Sequence, residues 1–327
     1  MASTSHETLA ERETAILAQG LTRNFGHFVA VDHIDIHVQT GEVFGLLGAN
    51  GAGKTTAIRM LCGMLTPTAG NIRIGSIDMV RHARRARSRI GYVAQRFALY
   101  DDLTVEENLK LQSGLYGLTG KRKGDRLAWA FDHLNMNPLR KTLAGDIPLG
   151  YKRRMALAAA LLHEPKVLFL DEPTSGVDPL ARQQFWELIY DLADSGIGIL
   201  VTTHYMDEAL FCDRLAFMHT GQIVSEGTPA SLMEKPLATP ILELDAPQCH
   251  HCTEELYQWP IIREIVPHAG QLMIRLQAHT NVAEAIEKIR MLAKQRGVEI
   301  TRLEPVMPQL EDVFVSVLEQ ADSKKAS

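Results

Sequence analysis

Gly48-Ala49-Asn50-Gly51-Ala52-Gly53-Lys54-Thr55 follows the apolar run Val43-Phe44-Gly45-Leu46-Leu47 and precedes a helical-period stretch marked by Ala57, Met60, Leu61 and Met64. The order is buried strand, glycine-rich loop, helix, with two glycines five apart followed by Lys and Thr. In that setting successive backbone N–H groups and a helix N-terminus converge on one point, a cradle for phosphate oxygens. The glycines permit positive φ and close approach of the backbone. Lys54 is placed to reach β and γ phosphates, and the Thr55 hydroxyl to complete a Mg2+ shell. Gly48, Asn50, Gly51, Ala52, Gly53, Lys54, Thr55 and Thr56 are therefore the nucleotide-binding candidates. A glycine-rich turn carrying a surface lysine is the bland alternative, and it leaves the strand–loop–helix order unexplained. The spacing is not the Gly-x-Gly-x-x-Gly of a dinucleotide fold, which argues against NAD or FAD.

Upstream, Val31-Asp32-His33-Ile34-Asp35-Ile36-His37-Val38 alternates as a half-buried strand and pauses at Gln39-Thr40-Gly41. Downstream, short strands are expected at Arg89–Ala94, Lys166–Leu170, Gly198–Thr202 and Arg214–Met218, with helical stretches between them. That alternation predicts an α/β domain with a largely parallel sheet covered by helices. Residues 104–162 are almost wholly helical in pattern and read as an inserted helical subdomain, and the whole domain is expected over 17–235. Met1–Ile16 mixes Ser, Thr, Glu and Arg without an apolar stretch after a basic start, so it reads as a flexible tail and not a secretory signal. The texture changes near Pro236–Pro240. Beyond it the order is strand (Ile241–Leu244), helix (Thr253–Gln258), strand (Arg263–Val266), strand (Leu272–Leu276), helix (Val282–Gln295) and strand (Val298–Arg302). This predicts a small ferredoxin-like α+β accessory domain over 240–320.

A second feature belongs with the loop. Val167-Leu168-Phe169-Leu170-Asp171-Glu172 is an apolar run ending in two acids. On a buried strand beside the phosphate loop, Asp171 emerges where Mg2+ is held, and Glu172 beside it can polarise an attacking water. Strand ends with acids are common, so the pair gains its meaning from the loop.

The remaining motifs occur in a fixed order. Gln95 follows Ile90-Gly91-Tyr92-Val93-Ala94, and Ser175-Gly176-Val177-Asp178-Pro179 follows Asp171-Glu172-Pro173-Thr174. His204 closes Val201-Thr202-Thr203-His204, and Phe25 lies in Leu21-Thr22-Arg23-Asn24-Phe25-Gly26. Taken as a set, the chain resembles an ATP-binding cassette (ABC) ATPase. The resemblance implies a P-loop ABC fold, a mixed and largely parallel sheet with N-terminal antiparallel strands, and ATP with Mg2+ as cofactors. It makes Glu172, His204 and Gln95 catalytic residues, and Thr55, Gln95 and Asp171 the Mg2+ ligands. Asp178 becomes the D-loop acid and Phe25 the ring that stacks on adenine.

Gly221–Pro229 looks like the family's closing hairpin. Gln309-Leu310-Glu311-Asp312-Val313-Phe314 looks like the ending of ATPase subunits of ABC-2-type exporters, the drug-resistance and polysaccharide or lipid export group. The family's Leu-Ser-Gly-Gly-Gln signature aligns with Ile147-Pro148-Leu149-Gly150-Tyr151. Pro148 has neither hydroxyl nor N–H. The signature set Pro148, Leu149, Gly150 and Tyr151 should therefore attract the γ-phosphate of an opposite subunit more weakly, through Gly150 and the helix N-terminus. The resemblance implies a separate ABC-2-type membrane permease and a second cassette, as homodimer or heterodimer, at the cytoplasmic face of the cell membrane.

Composition sets the outer bounds. With 327 residues, 46% hydrophobic and 22% charged, the chain is of ordinary globular make-up, and two domains fit its length. A net charge of −5 gives no whole-chain reason for binding nucleic acid or acidic lipid. The basic run Arg81, Arg84, Arg85, Arg87, Arg89 lacks interleaved aromatics and reads as a solvated helix face, so no nucleic-acid partner is expected. The longest apolar run, Met155–Leu162, has eight residues against about 20 needed to span a bilayer, so no transmembrane segment is expected. Four cysteines are too few for a disulfide framework, and Cys249-His250-His251-Cys252 is a single pair with metal-ligand spacing that lacks a partner pair. Two other readings are compatible with the cassette motifs: a soluble ABC ATPase acting on ribosomes or DNA, and a nucleotide-dependent regulator of low turnover.

Overall fold

The structure is a computed structural model that describes residues 13–95, 99–234, 239–246, 256–268, 271–278, 280–295 and 297–326. The chain divides into two compact units between Thr228 and Pro229. No helix among the described residues is long and apolar enough to cross a membrane.

The first unit holds two sheets. In one, β1 (Thr14–Phe25) pairs antiparallel with β2 (Phe28–Gln39) across a tight turn, and with β4 (Ala69–Ile74), which pairs with β5 (Ile77–Asp78). The stretch expected to be a tail ends earlier than its composition suggested. Thr14–Ile16 opens β1, and Ile16 is wholly buried with Ala18 and Leu21 in the apolar face of that strand. The other sheet has the order β10-β9-β3-β8-β7-β6. Its parallel part comprises β6 (Ile90–Val93), β7 (Val167–Asp171), β8 (Gly198–Thr203), β3 (Val43–Leu47) and β9 (Arg214–His219), and β10 (Gln222–Gly227) closes the edge antiparallel. Every residue of β3, β7 and β8 is buried, the pattern of strands covered on both faces. Parallel pairing brings the C-terminal ends of β3, β7 and β8 side by side, and that edge carries the site.

The helices α1 (Lys54–Leu61) and α2 (Ala83–Arg87) belong to this unit. The five arginines from Arg81 to Arg89 all stand exposed on and around α2, as a solvated face requires. The inserted helical part consists of α3 (Val105–Leu115), α4 (Gly120–His133) and α5 (Leu149–Leu161). A reciprocal cap between Thr104 and Glu107 starts α3, and Leu109, Phe131 and Leu157 bury its apolar faces in one core.

In the second unit, β11 (Ile241–Asp245), β12 (Ile262–His268), β13 (Gln271–Leu276) and β14 (Arg302–Pro305) form an antiparallel sheet in the order β12-β13-β11-β14. With α9 (Val282–Gln295) crossing from β13 to β14, this is the second half of the expected β-α-β-β-α-β plan. Of the helix expected at 253–258, only 256–258 is described, and Cys249–Cys252 lies outside the described residues. The last strand sits four residues later than its alternation suggested. Val298 and Ile300 pack on the core from an irregular link, and Leu303 makes the buried pairing opposite Leu244. This unit also starts earlier than expected, because α8 (Pro229–Met233) packs with buried Leu232 against α10 (Leu310–Ala326).

Candidate functional site

The loop between β3 and α1 is shaped by its glycines. Gly51 and Gly53 have φ of +85° and +110°, and a Cβ on Gly53 would lie 2.6 Å from the Ala30 carbonyl oxygen. Lys54 begins α1 with its side chain buried, and its Nζ donates to the carbonyls of Gly48 (2.6 Å) and Ala49 (3.1 Å). Burial pulls the Lys54 amine below the ordinary lysine range, and the nearby carboxylates of Glu172 and Asp171 pull the other way.

The Asp171 carboxylate stands at the end of β7. Its Oδ1 accepts from Thr202 Oγ1 at 2.7 Å and from Thr55 Oγ1 at 3.3 Å, so a hydroxyl from each neighbouring segment holds one carboxylate oxygen. Its field reaches beneath the sheet: the Tyr92 phenol is pushed up to about 12, mainly by burial and secondly by Asp171.

Glu172 leaves the strand with φ +49°, in the left-handed region that non-glycine residues rarely adopt. The turn is held by its N–H, which donates to the Thr202 carbonyl at 3.1 Å. The consequence is a buried carboxylate touched from three directions. Gln95 Nε2 donates to Oε2 at 2.8 Å, His204 Nδ1 lies 3.3 Å from Oε2, and Lys54 Nζ lies 3.9 Å from Oε1. An anion cradle, a carboxylate–hydroxyl pair and a second carboxylate flanked by an amide and an imidazole thus share one sheet edge.

Comparison with known proteins places this geometry in a family. Residues 31–175 match the ABC transporter family. The Nod factor export ATP-binding protein I of Neorhizobium galegae is 36% identical over 302 residues, covering 92% of this chain and 84% of that relative. The chain belongs to the ABC transporter family of ATP-binding proteins. A probable multidrug ABC transporter ATP-binding protein, YbhF of Escherichia coli K12, is 46% identical over 220 residues, 67% of this chain. That alignment spans only 38% of the length of YbhF. Among solved structures, an ATP-binding subunit of an ABC transporter superposes with a TM-score of 0.61 at 28% identity, covering 68% of this chain and 93% of that one. The cbiO1 protein of Clostridium perfringens, part of the transporter complex cbiONQ, gives 0.63 at 27% identity, covering 68% and 92%.

Within this ABC cassette, six sequence-predicted residues meet: Lys54, Thr55, Gln95, Asp171, Glu172 and His204. Gln95 meets the others through its amide nitrogen, which donates to Glu172, and the Thr55–Asp171 pair is formed without it. Phe25 lies at the β1–β2 turn, half exposed, with the Arg23 guanidinium 4.6 Å above its ring. Asp178 caps α6 (Pro179–Asp194), its Oδ1 accepting from the Ala181 N–H at 2.9 Å. Pro148 is the N-cap of α5, with φ −57° and ψ 152° and no side-chain cap. Gly150 is required by packing, because a Cβ there would come within 2.9 Å of Ala181 Cβ on α6.

Three residues at this edge were not among the site candidates read from the sequence. Thr202 clamps Asp171. Arg153, buried on α5, donates to the carbonyls of Gln95 (3.0 Å) and Ser175 (3.2 Å), tying the signature helix to the segments that flank Glu172. Glu208, in α7 (Met206–Ala209), is buried against Thr174 and Thr203. The contacts of all three run to distant segments, so no local pattern in the sequence announces them.

Proposed function

We propose that this chain binds MgATP at the Lys54–Thr55 loop, hydrolyses it, and serves as the nucleotide-driven subunit of an exporter whose membrane permease is a separate protein. One observation carries the reading: the buried Glu172 carboxylate sits within 3.9 Å of Lys54 Nζ and 3.3 Å of His204 Nδ1, at the mouth of a glycine-shaped anion cradle. Lys54 moves from the Gly48 and Ala49 carbonyls to the β and γ phosphate oxygens, replacing two neutral acceptors by charged ones. The loop amides hold the remaining oxygens, and Phe25 stacks on adenine. Thr55 and Asp171, aided by Gln95 Oε1, hold Mg2+. A hydroxyl and a carboxylate 3.3 Å apart are an oxygen donor pair that would suit a small cation keeping water and phosphate oxygens in most positions. The metal, when bound, neutralises charge on the transferred phosphoryl group. Glu172 accepts a proton from the attacking water as general base, and His204 with Gln95 fixes the carboxylate's orientation.

Leu149, Gly150 and Tyr151 present the free amides of the α5 N-terminus to the γ-phosphate held by a second cassette, either another copy or a different chain. Closing around two ATP molecules and reopening after hydrolysis is the movement passed to an ABC-2-type permease, which holds the chain at the inner face of the membrane. The multidrug and Nod factor export relatives support export over action on ribosomes or DNA. Calorimetry tests the core of this reading. MgATP should bind the intact chain, and Lys54→Ala should lose most of that affinity together with turnover; unchanged binding would mean the loop holds something else.

A further inference from the structure

Glu208 is a buried charge that the chemistry above does not use. Its side chain is 1% exposed. Thr174 Oγ1 donates to one carboxylate oxygen, and Thr203 Oγ1 donates to the other at 2.6 Å. Arg182 of α6 adds the positive charge, with Nε 3.6 Å away, and its Nη2 donates to the Val177 carbonyl at 3.4 Å. A buried carboxylate is costly unless it is hydrogen-bonded and paired, and here two hydroxyls donate to it while the Arg182 guanidinium supplies the opposite charge without a hydrogen bond.

What matters is where those partners sit in the chain. Thr174 is two residues after Glu172, whose φ of +49° must be imposed by its surroundings. Thr203 immediately precedes His204, and its hydroxyl also accepts from the Tyr205 N–H at 3.0 Å, so it bounds His204 on both sides. Arg182 reaches the loop carrying Asp178 through Val177, and its guanidinium lies 5.1 Å from the Tyr205 ring centre. A single carboxylate therefore bonds the two segments that present Glu172 and His204, and faces the charge of Arg182, which bonds the loop that carries Asp178.

We propose that Glu208 is a positioning residue: it locks the Thr174 and Thr203 segments together so that Glu172 and His204 keep their 3.3 Å separation through the catalytic cycle. Resting on the ATPase reading above, this lock predicts a loss in the chemical step and not in nucleotide binding, because the Glu208 carboxylate bonds Thr174 and Thr203 while Lys54 and Thr55 bond Gly48, Ala49 and Asp171.

The test uses the full chain in steady-state ATPase assays with MgATP binding measured in parallel. Glu208→Gln keeps the shape but can satisfy only one hydroxyl as an acceptor, so kcat should fall roughly 10- to 100-fold, the scale of a small misplacement at a reacting centre, while KM and ATP affinity stay within about twofold. Thr203→Val should fall in the same direction, and Thr203→Ser, which restores the hydroxyl, should recover most of the rate. Wild-type kcat in Glu208→Gln, or equal rates in Thr203→Val and Thr203→Ser, would overturn the proposal. So would a parallel loss of ATP affinity, which would make the role one of general stability. If Glu208→Gln fails to fold, the Thr203 pair decides. Amide exchange separates this proposal from the ATPase reading: in Glu208→Gln or Thr203→Val, residues 172–175 and 203–205 should lose protection together whether or not the wild type turns over. Unchanged protection in both would sink the lock even where no ATPase activity exists.

Discussion

Replacing Pro148 by serine separates two effects that the N-cap of α5 combines. Pro148 has φ −57° and ψ 152°, dihedrals that serine adopts without strain, and its carbonyl already accepts from Lys152 N–H at 3.0 Å. A serine hydroxyl there can accept from the Gly150 or Tyr151 amide, worth about 1 kcal/mol as an N-cap. Losing the proline frees the unfolded chain at a cost of about 0.4–1 kcal/mol. The two nearly cancel, so the thermal midpoint of the monomer should move by no more than a few degrees. Across a dimer interface the balance differs. A hydroxyl turned to the γ-phosphate of the opposite subunit makes a hydrogen bond to a charged group worth roughly 1.5–3 kcal/mol, about a 10- to 100-fold gain in association per site. Sedimentation with MgATP in a Glu172→Gln background, where turnover does not drain the closed state, reads that gain directly. An unchanged dimerisation midpoint in a variant of wild-type thermal stability would refute the reasoning. It would show that the Leu149, Gly150 and Tyr151 amides already saturate the phosphate and that Pro148 costs nothing.

Two further outcomes follow from backbone and ion-pair geometry within one chain. Gly53→Ala combines φ +110° with a Cβ 2.6 Å from the Ala30 carbonyl, whereas Gly51→Ala meets only φ +85° and open space. Gly53→Ala should therefore lower the denaturation midpoint more, with Gly51→Ala confined to the roughly 1–3 kcal/mol of backbone strain, and equal shifts would mean the close approach is relieved at no cost. Ion pairs with Arg140 (2.8 Å) and Lys110 (2.7 Å) hold Glu106, its carboxyl lowered to about 2, mainly by the Arg140 hydrogen bond and then by Lys110. Because the folded value lies below the unfolded one, this support is present above about pH 4.5 and is lost as pH falls toward 2. Glu106→Gln should destabilise the chain by less than about 1 kcal/mol near neutrality, and the difference should vanish in acid melts near pH 2; a constant difference would assign the effect to packing.

The parts of the site legible in the sequence were those built from contiguous residues. A glycine-rich loop between a buried strand and a helix, and an Asp-Glu pair ending an apolar strand, are local patterns whose chemistry follows from where a strand stops. Thr202, Arg153 and Glu208 were not legible in this way, because their partners lie on other segments and neither threonine nor glutamate advertises a distant contact. The same division runs through the fold. The alternation in β2 and the apolar runs in β3, β7 and β8 reveal themselves, but β4 buries only Ile72 and Ile74 and gives too short a pattern. At 298–301 the alternation was real but belonged to a link, because pairing opposite Leu244 and Asp245 decided which residues became strand. Thr14 and Ala15 looked like tail because a strand's first residues owe their order to the neighbouring β2 and β4 and not to their own composition.

In the proposed mechanism Glu172 activates water at a loop that holds MgATP. The most direct measurement compares Glu172→Gln with wild type for MgATP affinity and single-turnover hydrolysis, in the presence of the permease. Gln keeps the side-chain shape next to Gln95 and His204 but removes the base, so affinity should be preserved while the rate falls at least tenfold, within the roughly 10²- to 10⁴-fold expected of general-base assistance. Near wild-type hydrolysis by Glu172→Gln would contradict the assignment.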